Sequence, residues 1–413
     1  NGYYQTMCAA YTTNTNISGD LIIPASVTYN GTTYTVNEIQ YRGFENCTGL
    51  TSVSIPNSVK SIGHTAFKNC TNLVSVTLPD TLDKIVSSTF AFCENLTTIN
   101  IPEGLEYIGY GCFEGCSSLN NITLPDGIEY LDGCAFRACS SLSSINIPEG
   151  LRSFGSSTFQ FCTSLANVTL PQSLETINQD CFYGCTSFTN ITIPENVTNI
   201  GFGAFAECNN VTNINFNAVH CGVAFLPFGV YPMGTTLTIS ENATFIPDQL
   251  FNGLGGVEEI VIPNLVDTIG AYALAHCADL KRLTLGESVS FIGDYAFSGC
   301  SALEQITIFA PVPPLVIWGG DPFTDVPQNI PVYIPCGTLE AYSMEYPWHN
   351  FTNLQEMCNS IEDADIEDYS IVVNNDAITI EGLNNNETIS IIDVNGRTIV
   401  NESAINGKSF FCY

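Results

Sequence analysis

The chain has 413 residues, with 41 acidic against 10 basic side chains and a formal net charge of −31. That balance excludes the phosphate backbone of nucleic acids and anionic lipid surfaces as partners. Hydrophobic residues reach 45% and charged ones only 12%, which describes a packed chain rather than a disordered one. No apolar run approaches the roughly 18 residues that a membrane-spanning helix needs.

The chain opens at Asn1-Gly2-Tyr3, without an initiator Met or a signal sequence. This is expected of a processed or trimmed mature form, so export has to be inferred from the rest. Residues 1–43 read as an N-terminal cap. Leu21-Ile22-Ile23-Pro24 is a degenerate strand, and Val27 to Val36 is a hairpin turning at Asn30-Gly31.

From residue 44 a period of 23 residues takes over. Phe44, Phe67, Phe90, Phe113, Phe136, Phe159, Phe182, Phe205, Phe228, Phe251, Leu274 and Phe297 mark it. Three positions after each comes a second mark: Cys47, Cys70, Cys93, Cys116, Cys139, Cys162, Cys185, Cys208, Tyr231, Leu254, Cys277 and Cys300. A constant interval over most of a chain is the signature of a solenoid. Within one coil, Leu73, Val76 and Leu78 alternate with polar neighbours as a half-buried strand does. Pro79 then ends the strand, because proline cannot donate to a sheet ladder. A tight turn follows, such as Glu103-Gly104, then a second apolar pair such as Leu105 and Ile108, then often a Gly. Gly63, Gly109, Gly155, Gly201, Gly270 and Gly293 are expected to bend the chain sharply or take a positive φ. A short helical or irregular turn is expected to carry Phe and Cys, since their three-residue spacing with Leu suits a 3₁₀ or single α turn. One coil gathers too little apolar surface to offset its own ordering, so each must stack on its neighbours. The fold class is an α/β-type repeat solenoid of right-handed hand, with about twelve coils over 44–308 and short parallel strands on its concave face.

Residues 309–360 leave the period and read as a C-terminal cap. They carry Pro311-Val312-Pro313-Pro314, the segment Val332 to Gly337, a short amphipathic stretch around Leu339 to Tyr346, and Trp348. Residues 361–413 are an acidic linker (Glu362, Asp363, Asp365, Glu367, Asp368) and a small antiparallel β tail.

The ladder cysteines occupy one fixed point of every coil and read as buried, reduced, structural thiols. Cys112 and Cys181 fill a slot that other coils give to Ala, so they too read as core. Off the ladder, Cys336 and Cys358 flank one compact segment and are the best candidates for a disulfide.

Chemistry is scarce. The four histidines (His64, His220, His276, His349) are scattered, and no metal-ligand spacing, phosphate loop or nucleophile elbow occurs. No cofactor, no metal and no enzyme activity is expected. Binding has more to work with. The outward strand positions form polar rows, and Thr98, Asn121, Asn146, Asn167, Asn190, Asn213 and Asn215 are the candidate binding residues. Such rows either bond to one another across strands or offer a hydrogen-bonding platform to a protein or glycan. Asp80, Glu103, Asp126 and Glu149 follow the repeat prolines, where turn preference explains them; weak calcium binding is the alternative. Tyr107, Tyr110 and Tyr130 could stack on sugars. Between Cys208 and Cys277 the pattern loosens: Asn217 and Ser240 stand for Pro, and the run from Ala218 to Gly229 is unusually apolar. That run reads as adjusted packing or as an exposed patch for a partner.

The pattern Leu50-x-x-Val53-x-Ile55-Pro56-x-x-Val59-x-x-Ile62-Gly63-x-x-Ala66-Phe67-x-x-Cys70 resembles the BspA-like, or Treponema pallidum-type, leucine-rich repeat. The resemblance covers 44–308 and implies a secreted or cell-surface protein of a Bacteroidetes-like bacterium. It implies a non-catalytic adhesion scaffold whose partners are host or neighbouring-cell proteins, with glycans as a further class. A structural surface spacer is the other role consistent with the repeat.

Overall fold

In a computed structural model the described residues are 7–224, 226–229, 231–316 and 319–358, with the backbone of five further segments between 370 and 410. The chain divides into two compact units, Asn1–Met357 and Cys358–Tyr413.

The first unit is a parallel β-solenoid. Nearly every coil contributes a strand to one column, residues 165–171 being the stretch that does not, and within each run of paired strands residues lie opposite their counterparts one repeat later. Ser52 pairs with Ser75, Asn190 with Asn213, and Glu259 with Arg282. The second apolar pair of each coil forms another column of two-residue strands. Lys84–Ile85, Tyr107–Ile108, Tyr130–Leu131, Ser153–Phe154, Thr176–Ile177, Asn199–Ile200 and Val223–Ala224 make one parallel sheet of seven.

Between the columns the ladder phenylalanines stack face to face. Phe113 and Phe136 lie 5.4 Å apart with planes 11° from parallel, and Phe136 and Phe159 lie 5.6 Å apart at 4°. Phe67, Phe90, Phe113, Phe136, Phe159, Phe182 and Phe205 are all buried, as are Cys70, Cys93, Cys116, Cys139, Cys162, Cys185 and Cys208. Each of these seven thiols donates to the carbonyl of the ladder phenylalanine one coil back. Cys93 reaches Phe67 O at 3.2 Å, Cys139 reaches Phe113 O at 3.1 Å, and Cys185 reaches Phe159 O at 3.3 Å. A small apolar residue with one weak donor therefore fits the position. Tyr231 replaces Cys in the ladder and keeps the same bond, from its hydroxyl to Phe205 O at 3.1 Å. Burial pushes the thiols of Cys116, Cys162 and Cys208 up to about 12.

The segment carrying Phe and Cys is a run of turns, the irregular form rather than the helical one. Two left-handed residues flank each ladder ring from Phe44 to Phe205, such as Thr65 (φ +55°) and Asn69 (φ +58°) around Phe67. They turn alternate amides outwards along the stack. The N–H groups of Thr65, Phe67 and Asn69 bond to Ser87, Thr89 and Ala91 of the next coil, while those of Lys68 and Cys70 close local turns. Every amide is thus used without a helix. The repeat glycines serve another purpose than a positive φ. A Cβ on Gly155 would lie 2.2 Å from Gly133 N, and one on Gly201 would lie 2.4 Å from Gln179 N. Glycine stands there because successive backbones touch.

The solenoid, with its caps, has about 14 turns. The segments read as caps supply the extra ones. Ser18–Ile22 pairs in parallel with Gly49–Ser54, and Val332–Pro335 pairs with both Gln305–Ile308 and Leu354–Met357. Phe323 continues the ring stack at 5.3 Å from Phe297, at a longer interval that hides it from the period. Helix Leu339–Met344 then places Tyr342 to donate to Ala310 O at 2.7 Å, and Trp348 donates its Nε1 proton to Pro314 O at 3.0 Å. The expected hairpin is present: Ser26–Tyr29 runs antiparallel to Thr32–Ile39 across Asn30 and Gly31, both with positive φ.

In the second unit Ser370–Asn374 pairs antiparallel with Ala377–Glu381, which pairs with Ser409–Phe410, and Thr388–Ile392 pairs with Thr398–Ser403. The acidic linker residues Glu362, Asp363, Asp365, Glu367 and Asp368 lie outside the described residues. Cys336 and Cys358 are disulfide-bonded cysteines.

Candidate binding site

The strand column is built on a repeating hydrogen bond, and its exceptions shape the surface. In late coils the residue before the proline slot offers its carbonyl to the N–H at that slot one coil on. Asn217 donates to Ile193 O at 3.1 Å, Ser240 to Phe216 O at 2.9 Å, and Phe309 to Leu285 O at 3.0 Å. In early coils the slot holds Pro and the donor is missing. In two of these coils an asparagine side chain replaces it. Asn146 Nδ2 donates to Leu124 O at 2.8 Å, and its Oδ1 accepts from Leu124 N–H at 2.7 Å. Asn100 does the same for Leu78, at 3.2 and 2.7 Å. Each amide acts as a substitute peptide group. Asn146, a candidate binding residue, thus has its amide committed to the fold.

The intervening coil carries Thr123 at that position and Pro125 at the slot. Neither supplies Ile101 with a partner, and among the described residues no backbone bond joins 97–101 to 120–124. Val74 O accepts from Thr97 N–H and Asn120 O accepts from Ser143 N–H, both at 2.9 Å, but the equivalent bond onto Thr97 O is absent. The sheet parts here, and a cleft of about 440 Å³ opens. Thr98, Asn100, Asn121, Thr123 and Asn146 line it, with Glu103 and Asp126 along one side and half-buried Ile99 and Ile101 beneath.

The other candidate residues fall into a second group. Asn213 donates to Asn190 Oδ1 at 2.9 Å and accepts from Thr236 Oγ1 at 2.7 Å. Asn215 donates to Thr192 Oγ1 at 3.3 Å. Asn167 lies between the groups and accepts from Thr189 Oγ1 at 3.4 Å. Thr98, Asn121 and Asn146 therefore share one cleft, while Asn190, Asn213 and Asn215 share a cross-strand ladder. The tyrosines proposed for sugar stacking sit on or beside the other column of strands, apart from both groups. Tyr107 donates to Asp132 Oδ2 at 2.7 Å, and Tyr110 accepts from the Cys134 thiol at 3.4 Å. In the apolar run from Ala218 to Gly229, Ala218, Cys221 and Phe228 are buried, and Phe228 stacks between Phe205 and Phe251 at 5.7 Å from each.

Residues 37–165, 112–221 and 233–313 match the model of the BspA type leucine rich repeat region, in six copies. The chain belongs to the BspA-type leucine-rich repeat family. Similar solved structures include a leucine-rich repeat protein from Bacteroides ovatus, with 23% identity, 83% of this chain and 94% of that one covered, and a TM-score of 0.48. A leucine rich cell surface protein from Faecalibacterium prausnitzii shares 27% identity over 74% of this chain and 91% of its own, with a TM-score of 0.42. The leucine-rich repeat protein of T. pallidum shares 27% over 49% and 81%, with a TM-score of 0.35. No curated protein matches significantly. BspA-type repeats are scaffolds with a binding or structural role. Among the described residues no helix is long and apolar enough to cross a membrane.

Proposed function

We propose that this BspA-type protein is a non-catalytic binding scaffold, secreted or held at the cell surface, that recognises protein partners through the strand face. One observation carries the reading. The ladder rings and thiols all turn inwards, so the strand column leaves an array of exposed, mostly neutral side chains whose positions are fixed from within. Fixed side chains lose little entropy on binding, which favours recognition by a broad rigid surface. A structural spacer is the second reading, supported by the cross-strand bonds of Asn190, Asn213 and Thr236, which occupy side chains that a partner would need. Capture of extracellular matrix and cell-surface proteins by the immobilised full chain separates the two. The scaffold reading expects a partner whose capture is lost in an Asn190→Ala/Asn213→Ala variant. Capture of nothing across the panel, or capture indifferent to that variant, contradicts it.

A further inference from the structure

The cleft at Thr123 is one of the places where the strand column is interrupted, and its chemistry selects a ligand. An added strand cannot enter. Insertion needs two sheet spacings, roughly 9.6 Å, whereas Cα atoms of Thr98–Ile99 and Asn121–Ile122 stay within 8 Å of each other. A single side chain or a small head group can. The lining contains no aromatic ring on which a sugar could stack. It does contain half-buried Ile99 and Ile101 as an apolar floor, the unpaired carbonyls of Thr97 and Ile101 as acceptors, and two carboxylates at one side. Neither Glu103 nor Asp126 takes part in any of the ion pairs among the described residues. From Lys84 to Arg137 the sequence has no other basic residue and seven acidic ones, so no cation of the same stretch is at hand to neutralise them.

We propose that this cleft receives an arginine side chain from a protein partner. The aliphatic stem would lie on Ile99 and Ile101, and the planar guanidinium would donate to the Glu103 and Asp126 carboxylates and to the free backbone carbonyls. Arginine fits better than lysine because its fork of donors serves several acceptors at once and it is the less strongly hydrated cation. The proposal rests on the strand face being a protein-binding surface, and it adds the chemistry of the partner.

The structure also supplies a variant that closes the cleft. Asn100 and Asn146 already show that an asparagine at this position clasps the preceding coil. Thr123→Asn should therefore join its amide to Ile101 and seal the gap. Binding of a dye-labelled arginine-glycine-serine peptide to the full chain is read by fluorescence anisotropy, beside the same peptide with each arginine replaced by neutral citrulline. The expected result is binding of the arginine peptide that weakens about tenfold or more with citrulline, in Thr123→Asn and in Glu103→Gln/Asp126→Asn. A control that removes two distant exposed carboxylates, Asp267→Asn/Glu287→Gln, should change affinity less than about twofold. The proposal is overturned if the arginine peptide does not bind, if the control weakens it equally, or if Thr123→Asn leaves it intact. It is also overturned if a neutral oligosaccharide or calcium ion, rather than the peptide, loses its binding in Thr123→Asn. Partner capture that depends on Asn190 and Asn213 but not on Thr123 would defeat this inference and leave the wider reading standing. If no partner is captured, the peptide assay still reports on the cleft alone.

Discussion

Replacing Asn146 tests whether an exposed asparagine of the strand face is structural. Its amide makes two bonds to the Leu124 backbone, at 2.8 and 2.7 Å. A neutral hydrogen bond contributes about 0.5–1.5 kcal/mol net. Water can reach the rim and recover part of the loss, so Asn146→Ala should destabilise by about 1–2 kcal/mol. The reason for that cost is Pro148, which has no N–H to give Leu124 O. Pro148→Ala restores the donor that Asn217, Ser240 and Phe309 supply in late coils. In that background Asn146→Ala should cost about 1 kcal/mol less, a coupling that a double-mutant cycle isolates. Urea unfolding of the four proteins, followed by circular dichroism, gives the numbers. A cost below about 0.5 kcal/mol for Asn146→Ala, or equal costs in the two backgrounds, would refute the reasoning.

Phe136→Ala removes a fully buried ring stacked on both faces, and should cost about 3–5 kcal/mol in thermal or urea unfolding; a loss near zero would mean that the ring is not core. Tyr231→Phe deletes the buried donor to Phe205 O and should cost about 1–2 kcal/mol by the same measurement. The thiols give a pH dependence. Burial holds Cys116, Cys162 and Cys208 at about 12, above the ordinary thiol value near 8.5. The folded state therefore keeps protons that the unfolded chain releases, so stability is complete below pH ~8.5 and declines as pH rises towards 12. At pH ~10 each such thiol should cost on the order of 1–2 kcal/mol. Urea midpoints at pH 8 and 10 should fall less in Cys162→Ala than in the parent, and an unchanged fall contradicts the assignment.

How much was legible in the sequence follows from what each position needs. The ladder phenylalanines were plain because a buried ring between identical neighbours tolerates little substitution, so the interval stays constant from Phe44 to Phe297. The second column of strands was hidden because a two-residue strand such as Tyr107–Ile108 is too short to display alternation. The left-handed positions fell on Thr65 and Asn69 rather than on the repeat glycines. Only the neighbouring backbone, invisible in one coil's sequence, shows that those glycines answer to crowding. Phe323 escaped notice because the interval lengthens before it.

The candidate site was legible as composition but not as arrangement. Seven side chains of two polar rows looked equivalent, yet Asn146 is committed to Leu124 and Asn190 to Asn213, while Thr98 and Asn121 border a cleft. The deciding signal was present in the sequence: Asn100, Thr123 and Asn146 occupy the same slot, each two residues before a proline. Its meaning depends on knowing that the slot's missing N–H faces a carbonyl one coil away.

The account stands on an interior axis shared by rings and thiols, and mass-spectrometric mapping of alkylated cysteines in the native full chain at pH 8 tests it most directly. Cys70, Cys93, Cys116, Cys139, Cys162, Cys185 and Cys208 should stay unmodified until denaturant is added, because each is enclosed and bonded to the coil before it. Rapid labelling of these positions in the folded protein would contradict it.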